Sequence, residues 1–238
     1  MSGMTEDVKD VGGRLSRQEV SDAVGDLGWR YVLGALQTSV PVPTLRWAVD
    51  IADRVVEAAG DDADGSLRMD ARRDRLVLTL QSSAGTVTAA EVELARRVFT
   101  AVRRLGLWPD PGVADPGTRA VQRLEIAIDA LDIPRIRPFW KAVLGYADEA
   151  GASGPEDPLV DPLDQGPAIW FQQMDAARPQ RNRIHLDVSV PHDEAPHRIR
   201  AALAAGGVLV SDAHAPSFWV LADAEGNEAC VTTWQGRD

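Results

Sequence analysis

Histidine is absent from the first 184 residues of this 238-residue chain, and only four are present in all. An imidazole titrates near neutrality and exchanges a proton in both directions. The long N-terminal stretch therefore lacks the side chain best suited to acid–base work at neutral pH. Cysteine is scarcer still. Cys230 stands alone, which excludes an intrachain disulfide and a metal cage of several thiolates within one chain. Nothing basic in its immediate sequence would activate it, so it reads as an inert buried thiol. Positive charge is also short: 25 Lys and Arg against 36 Asp and Glu leave a formal charge of −11. Nucleic acid and anionic membranes both require a basic face, so neither is an expected partner, and the acidity reads as solubility. No apolar run approaches membrane-spanning length and the N-terminus lacks a signal peptide's apolar core, so a cytoplasmic location is the default expectation.

The chain is otherwise ordinary globular material, 45% apolar and 26% charged, which is enough to bury a core and confines expected disorder to a tail over residues 1–13. Between Trp108 and Thr118 lie three prolines and two glycines, which end a helix and resist re-entering one. Residues 108–118 are therefore the predicted linker between domains at 14–107 and 119–238.

In the first domain Ser16 and Glu19 have capping-box spacing, predicting a helix to about Val24. Trp29 to Val40 reads as extended. Pro43-Thr44 opens a second helix with Leu45, Val49, Ala52, Val56 and Ala59 on one face, and Gly60 stops it. After an acidic loop at 61–65, a strand pair from Leu67 to Ser82 sets Leu76, Leu78 and Leu80 on one side. Thr88 and Glu91 cap a third helix to about Leu105. The α-β-α-β-β-α order predicts helices on one face of a small antiparallel sheet. Arg72, Arg73 and Arg75 are candidates to pair with the acidic loop or are plain surface charge.

This order, with Trp29, the Ala58-Ala59 helix end and the stretch from Gly85 to Ala95, resembles pterin carbinolamine dehydratase. Members of that family place a His-His-Pro triplet after the second helix and Thr-His-Asp after the long strand. Here the corresponding stretches read Asp61-Asp62-Ala63 and Ser82-Ser83-Ala84. An exposed Asp is ionised at neutral pH and a poor acid, so the domain reads as a catalytically degenerate member. A pterin-binding or dimerising role without turnover fits the same residues.

The second domain repeats itself sixty positions apart. Arg123-Leu-Glu-Ile-Ala-Ile-Asp129 is answered by Arg183-Ile-His-Leu-Asp-Val-Ser189; Phe139 and Val143 by Ile199 and Leu203; Gly166 by Gly226. Two copies of a mixed strand-and-helix unit are not a solenoid, and predict a closed pair whose sheets enclose a concave surface suited to a small molecule. Phe139 to Tyr146, Arg183 to Asp187 and Asp223 to Glu228 resemble the vicinal-oxygen-chelate superfamily, in its glyoxalase-like branch. The resemblance implies paired βαβββ units and an overall α+β chain. In many members four side chains, from the first and last strand of each unit, hold a divalent metal. Those places fall here on Glu125, Trp170, His185 and Cys230. An indole has no lone pair to coordinate with, so the metal-free reading is preferred and no cofactor is expected.

Strand residues two apart share a face, which aligns Glu125 with Asp129, His185 with Asp187 and Ser189, and Glu228 with Cys230 and Thr232. Glu125 and His185 are the candidate acid–base pair; the bland alternative is a Glu125–Arg183 ion pair and a core histidine. Asp129, Trp170, Gln172, Asp187, Trp219, Glu228 and Cys230 are the candidate ligand contacts, with the two tryptophans as walls. Trp140 reads as core, and His192, His197 and His214 as surface. Two functions remain open: a metal-independent lyase or isomerase acting beside a carbonyl, or a protein that binds and sequesters a small molecule as resistance members of the superfamily do. Active pterin dehydration is disfavoured by the missing histidines. The expected assembly is a homodimer.

Overall fold

A computed structural model describes residues 15–112, 120–177 and 184–236. The predicted tail, most of the predicted linker and Arg183 lie outside the described residues. The chain divides into two compact units, residues 1–123 and 124–238.

The N-terminal unit begins with the expected capping box. The Ser16 amide donates to the Glu19 carboxylate at 2.8 Å and the Glu19 amide donates to Ser16 Oγ at 3.2 Å, opening helix α1 (Arg17–Gly25). The extended stretch after Trp29 is a hairpin of β1 (Arg30–Val32) and β2 (Ala35–Pro41). Its two-residue turn holds Leu33 at φ 45° and Gly34 at φ 74°, positive values that match the twist of the flanking strands. Thr44 caps α2 (Leu45–Ala59), a 3₁₀ turn and the short α3 (Ala63–Ser66) follow, and β3 (Leu67–Ala71) pairs with β4 (Arg75–Leu80). The sheet is antiparallel in the order β1-β2-β4-β3. Leu76, Leu78 and Leu80 are fully buried on its helix-covered face.

Helix α4 (Ala89–Arg104) opens with a second capping box from Thr88 and Glu91. Glu91 is itself buried and accepts a 2.7 Å hydrogen bond from Ser66 Oγ. Burial disfavours its charge, but the bonds from Thr88 and Ser66 outweigh that and hold its pKa below the ordinary value.

Three details differ from expectation. The acidic stretch is a helical turn whose Asp62 pairs with Arg97, whereas Arg72 and Arg75 pair with Asp70 and Asp74. The start of the predicted linker is docked, since Asp110 and Ser39 exchange backbone hydrogen bonds that extend the ladder beside β2. The third correction concerns α2. Its buried positions are Ala48, Ile51, Val55 and Ala59, so of the face predicted from sequence only Ala59 is fully buried. Leu45 and Val49 are each 51% exposed and Val56 42%. The helix carries two adjacent apolar stripes, and packing on the sheet and α4 selects the one through Ala48, Ile51 and Val55.

The C-terminal unit consists of two halves of identical topology. The first runs β5 (Glu125–Ala130), α5 (Ile133–Leu144), β6 (Ala147–Asp148), β7 (Leu159–Val160) and β8 (Ala168–Gln173), with sheet order β5-β8-β7-β6. The second runs β9 (Leu186–Ser189), α6 (Ala195–Ala204), β10 (Val208–Ser211), β11 (Phe218–Ala222) and β12 (Glu228–Thr232), with order β9-β12-β11-β10. In each half the first and last strands are parallel neighbours and the other pairs antiparallel. One core joins the halves: Ile128, Ile169 and Phe171 on the first sheet meet Phe139 and Trp140 of α5 and Leu221, Ala229 and Val231 of the second. Among the described residues no helix is long and apolar enough to cross a membrane.

Candidate functional site

Alternation along the strands assigns every candidate to a face. In the parallel pair β5–β8, Glu125 lies beside Ala168, Ala127 beside Trp170 and Asp129 beside Gln172. Neighbours in register share a face, and the intervening residues Ile126, Ile128, Ile169 and Phe171 pack toward the helices. Glu125, Asp129, Trp170 and Gln172 therefore occupy the face of the first sheet that the helices leave open. Glu125 and Gln172 are exposed, while Asp129 and Trp170 are half-buried. Ala127, beside Trp170, removes side-chain bulk from one edge of the indole.

The second sheet has its own face turned from the helices, on which Asp187 and Ser189 are exposed while Cys230 and Thr232 are buried. Asp187 lies beside Cys230 and Ser189 beside Thr232. A 2.8 Å hydrogen bond joins Ser189 Oγ to Thr232 Oγ1. Glu228 is half-buried two residues before Cys230 on the same side. Cys230 is buried at 6% exposure, so it offers a ligand little surface. His185 is exposed and precedes β9 by one residue. No hydrogen bond joins it to Glu125 among the described residues, so the two are not preassembled as a proton-sharing pair.

Trp219 requires correction. It pairs with Val231 across β11–β12 and packs on the helix-side core, the face opposite Cys230 and Glu228. It is half-buried against the core and lies on the face turned from Cys230 and Glu228. Its neighbour Phe218 lies on the Cys230 side, paired in register with Thr232 and stacked on His214 at 4.8 Å with a 22° interplanar angle. The Phe218-Trp219 dipeptide offered two aromatics of opposite facing. Pairing β11 with the strand of Cys230 was the signal that would have distinguished them. Exposed Ser189 shares that face and bonds Thr232, which is itself buried at 2% exposure.

The turn before each half's last strand is built alike. Asp161 accepts hydrogen bonds from the amides of Leu163, Gln165 and Gly166 at 2.7–2.9 Å, and Asp223 from those of Glu225 and Asn227 at 2.9 Å. Burial raises the pKa of Asp161, but its three backbone donors outweigh burial and hold it below the ordinary value. Asp223 does more, because its second oxygen also accepts from Trp140 Nε1 at 2.9 Å and so binds the second half's turn to the first half's helix. These carboxylates serve the fold and are not available for ligand chemistry.

A metal does not fit the four superfamily positions. Trp170 has no donor lone pair, Cys230 is buried, and among the described residues no three of His, Cys, Asp and Glu converge as a metal-binding group.

Two βαβββ halves with one helical face and one open face define a glyoxalase-like fold. Residues 125–232 match the family model of the glyoxalase-like domain, and this part of the chain is a glyoxalase-like domain. Among solved structures, the chain is similar to a glyoxalase/bleomycin resistance protein/dioxygenase family enzyme from Burkholderia phytofirmans PsJN. The identity is 18%, over 46% of this chain and 95% of that one, with a TM-score of 0.38. It is also similar to a transcriptional coactivator/pterin dehydratase from Brucella melitensis, 23% identical over 37% of this chain and 97% of that one, with a TM-score of 0.33. A glyoxalase-related enzyme from Fulvimarina pelagi matches at 18% identity over 48% and 88% of the two chains, TM-score 0.37. No curated protein matches the chain.

Proposed function

We propose that the C-terminal unit binds a small organic molecule on its open sheet faces without a metal. Trp170 supplies a flat wall, and Glu125, Asp129, Gln172, Asp187 and Glu228 supply hydrogen-bonding groups. The observation that carries this reading is the register of β5 with β8, which sets a half-buried indole among polar side chains on a face that no helix covers. The N-terminal unit acts here without dehydratase chemistry, because its acidic turn and Ser82 are engaged in local hydrogen bonds and ion pairs and no imidazole is available.

A second reading assigns Glu125 and His185 as acid and base of a lyase or isomerase acting beside a carbonyl. The equivalent placement of these residues at the entry of β5 and β9 favours it, since a substrate lying across the two strand entries would meet both. One experiment separates the readings. A thermal-shift screen of carbonyl-bearing and planar metabolites identifies a ligand, and calorimetry then compares wild type with Trp170→Ala and with the double variant Glu125→Gln, His185→Gln. Loss of about tenfold in affinity or more on removing the indole supports the binding site. Turnover of that ligand, lost in the double variant with binding kept, supports the enzyme. Unchanged affinity in Trp170→Ala would remove the site from this face.

A further inference from the structure

Charge is sorted by face in the C-terminal unit. Among its described residues every Lys and Arg, namely Arg135, Arg137, Lys141, Arg198 and Arg200, stands on α5 or α6, and the strands carry none. The strands carry carboxylates instead. Asp148 lies on the helix side, where Arg137 and Lys141 pair with it at 2.8 and 2.7 Å. Glu125, Asp129, Asp187 and Glu228 lie on the faces turned from those helices. On the first sheet two of these carboxylates bracket a small residue. Ala127 is exposed, stands between Glu125 and Asp129 on β5, and lies directly beside Trp170 of β8. Its methyl leaves a space walled by the indole, with the Cα of Glu125 about 7 Å away along the strand. Diagonal neighbours across a strand pair are within reach of an aromatic ring, so Glu125 and Trp170 border the same space.

We propose that the space over Ala127 takes the head of an organic ammonium cation; this rests on the small-molecule role of the open face and names its ligand class. The face of an indole attracts a cation through the negative potential of its ring. Exposed Glu125 adds a Coulomb attraction that the ring alone does not supply. Both act on one point, because they reach it from adjacent strands in fixed register. The same arrangement selects against other ligands. An anion placed there meets carboxylates and finds no Lys or Arg on the strands, and a neutral molecule gains the indole but nothing from the charge of Glu125.

The test uses three probes with one branched head and different charge: choline, its neutral isostere neohexyl alcohol, and the anion of tert-butylacetic acid. Each is titrated into the isotope-labelled full chain while NMR follows the Trp170 indole N–H, assigned by its loss in Trp170→Phe. Choline is expected to shift that resonance and to bind about tenfold more tightly than the alcohol, with the anion weakest. Glu125→Gln is expected to weaken choline severalfold and leave the alcohol unchanged, a charge-specific effect that a merely structural role would not produce. Choline binding that Glu125→Gln leaves intact overturns the proposal. Equal or tighter binding of the alcohol or the anion at Trp170 overturns the cation class and leaves the small-molecule site standing. An indole N–H that none of the three moves at tens of millimolar also overturns the cation class; the site itself then falls only if Trp170→Ala leaves the affinity of a screened ligand unchanged.

Discussion

The two halves of the C-terminal unit share a strand order but differ in what their helices bury. In the first half α5 buries Ile133, Ile136, Phe139, Trp140 and Val143, and the Arg137 guanidinium beneath it pairs with Asp148 and two backbone carbonyls. In the second, α6 buries only Ala195 and Ala202, while Leu203 is 37% exposed and β10 leaves Val208, Leu209 and Val210 largely exposed. The open faces differ as well: Trp170 in one half corresponds to buried Cys230 in the other. Duplication preserved the backbone hydrogen-bond pattern, which any suitably alternating sequence satisfies, and left the side chains free to divide the work. The first half anchors the core and carries the half-buried Trp170 on its open face, and the second carries hydroxyls and carboxylates on a lighter frame.

The largest way to break this asymmetry is Trp140→Ala. It removes a side chain that is 2% exposed and leaves Asp223 without its partner from the other half, so a loss of about 4 kcal/mol is expected by chemical denaturation. A comparable loss from a change confined to α6 would mean that the halves share the core equally. The repeat-equivalent pair gives a sharper reading: Val143→Ala should cost about 2 kcal/mol and Leu203→Ala under about 1 kcal/mol, because only the first site is fully enclosed.

A smaller difference concerns acid. The folded state holds the Asp161 pKa below its unfolded value, so it binds that proton less readily than the unfolded chain. The stabilising contribution is complete above the unfolded carboxylate pKa of about 4 and disappears as pH falls through the folded value. Asp161→Asn should therefore cost about 1 kcal/mol at neutral pH and flatten the acid limb of stability. An acid limb identical to wild type would show that the turn's carboxylate contributes nothing as an anion.

Much of the architecture was legible before any coordinates. Ser16 with Glu19 and Thr88 with Glu91 marked helix starts because a capping box depends on neighbours three residues apart. The sixty-residue repeat marked the paired halves because strand, helix and turn chemistry recur in the same order. Alternation also aligned Glu125 with Asp129, whereas the register of β5 with β8 brought Trp170 and Gln172 to the same face. Trp219 and the α2 stripe were misread for a common reason: each sits beside an equally apolar alternative. Phe218 or Trp219 can face the core depending on how β11 registers with β12, and either stripe of α2 can be buried depending on how the helix rolls on the sheet.

Local chemistry, then, settled where elements begin, how they alternate and that the second unit is duplicated, since caps, turns and periodicity act over a few residues. Only the folded chain decided which of two apolar faces is buried, that Asp223 is committed to Trp140 across 83 positions, and that Glu125 and His185 form no direct hydrogen bond. Those outcomes depend on contacts between residues distant in sequence, where shape and packing density choose among alternatives that local pattern leaves equal.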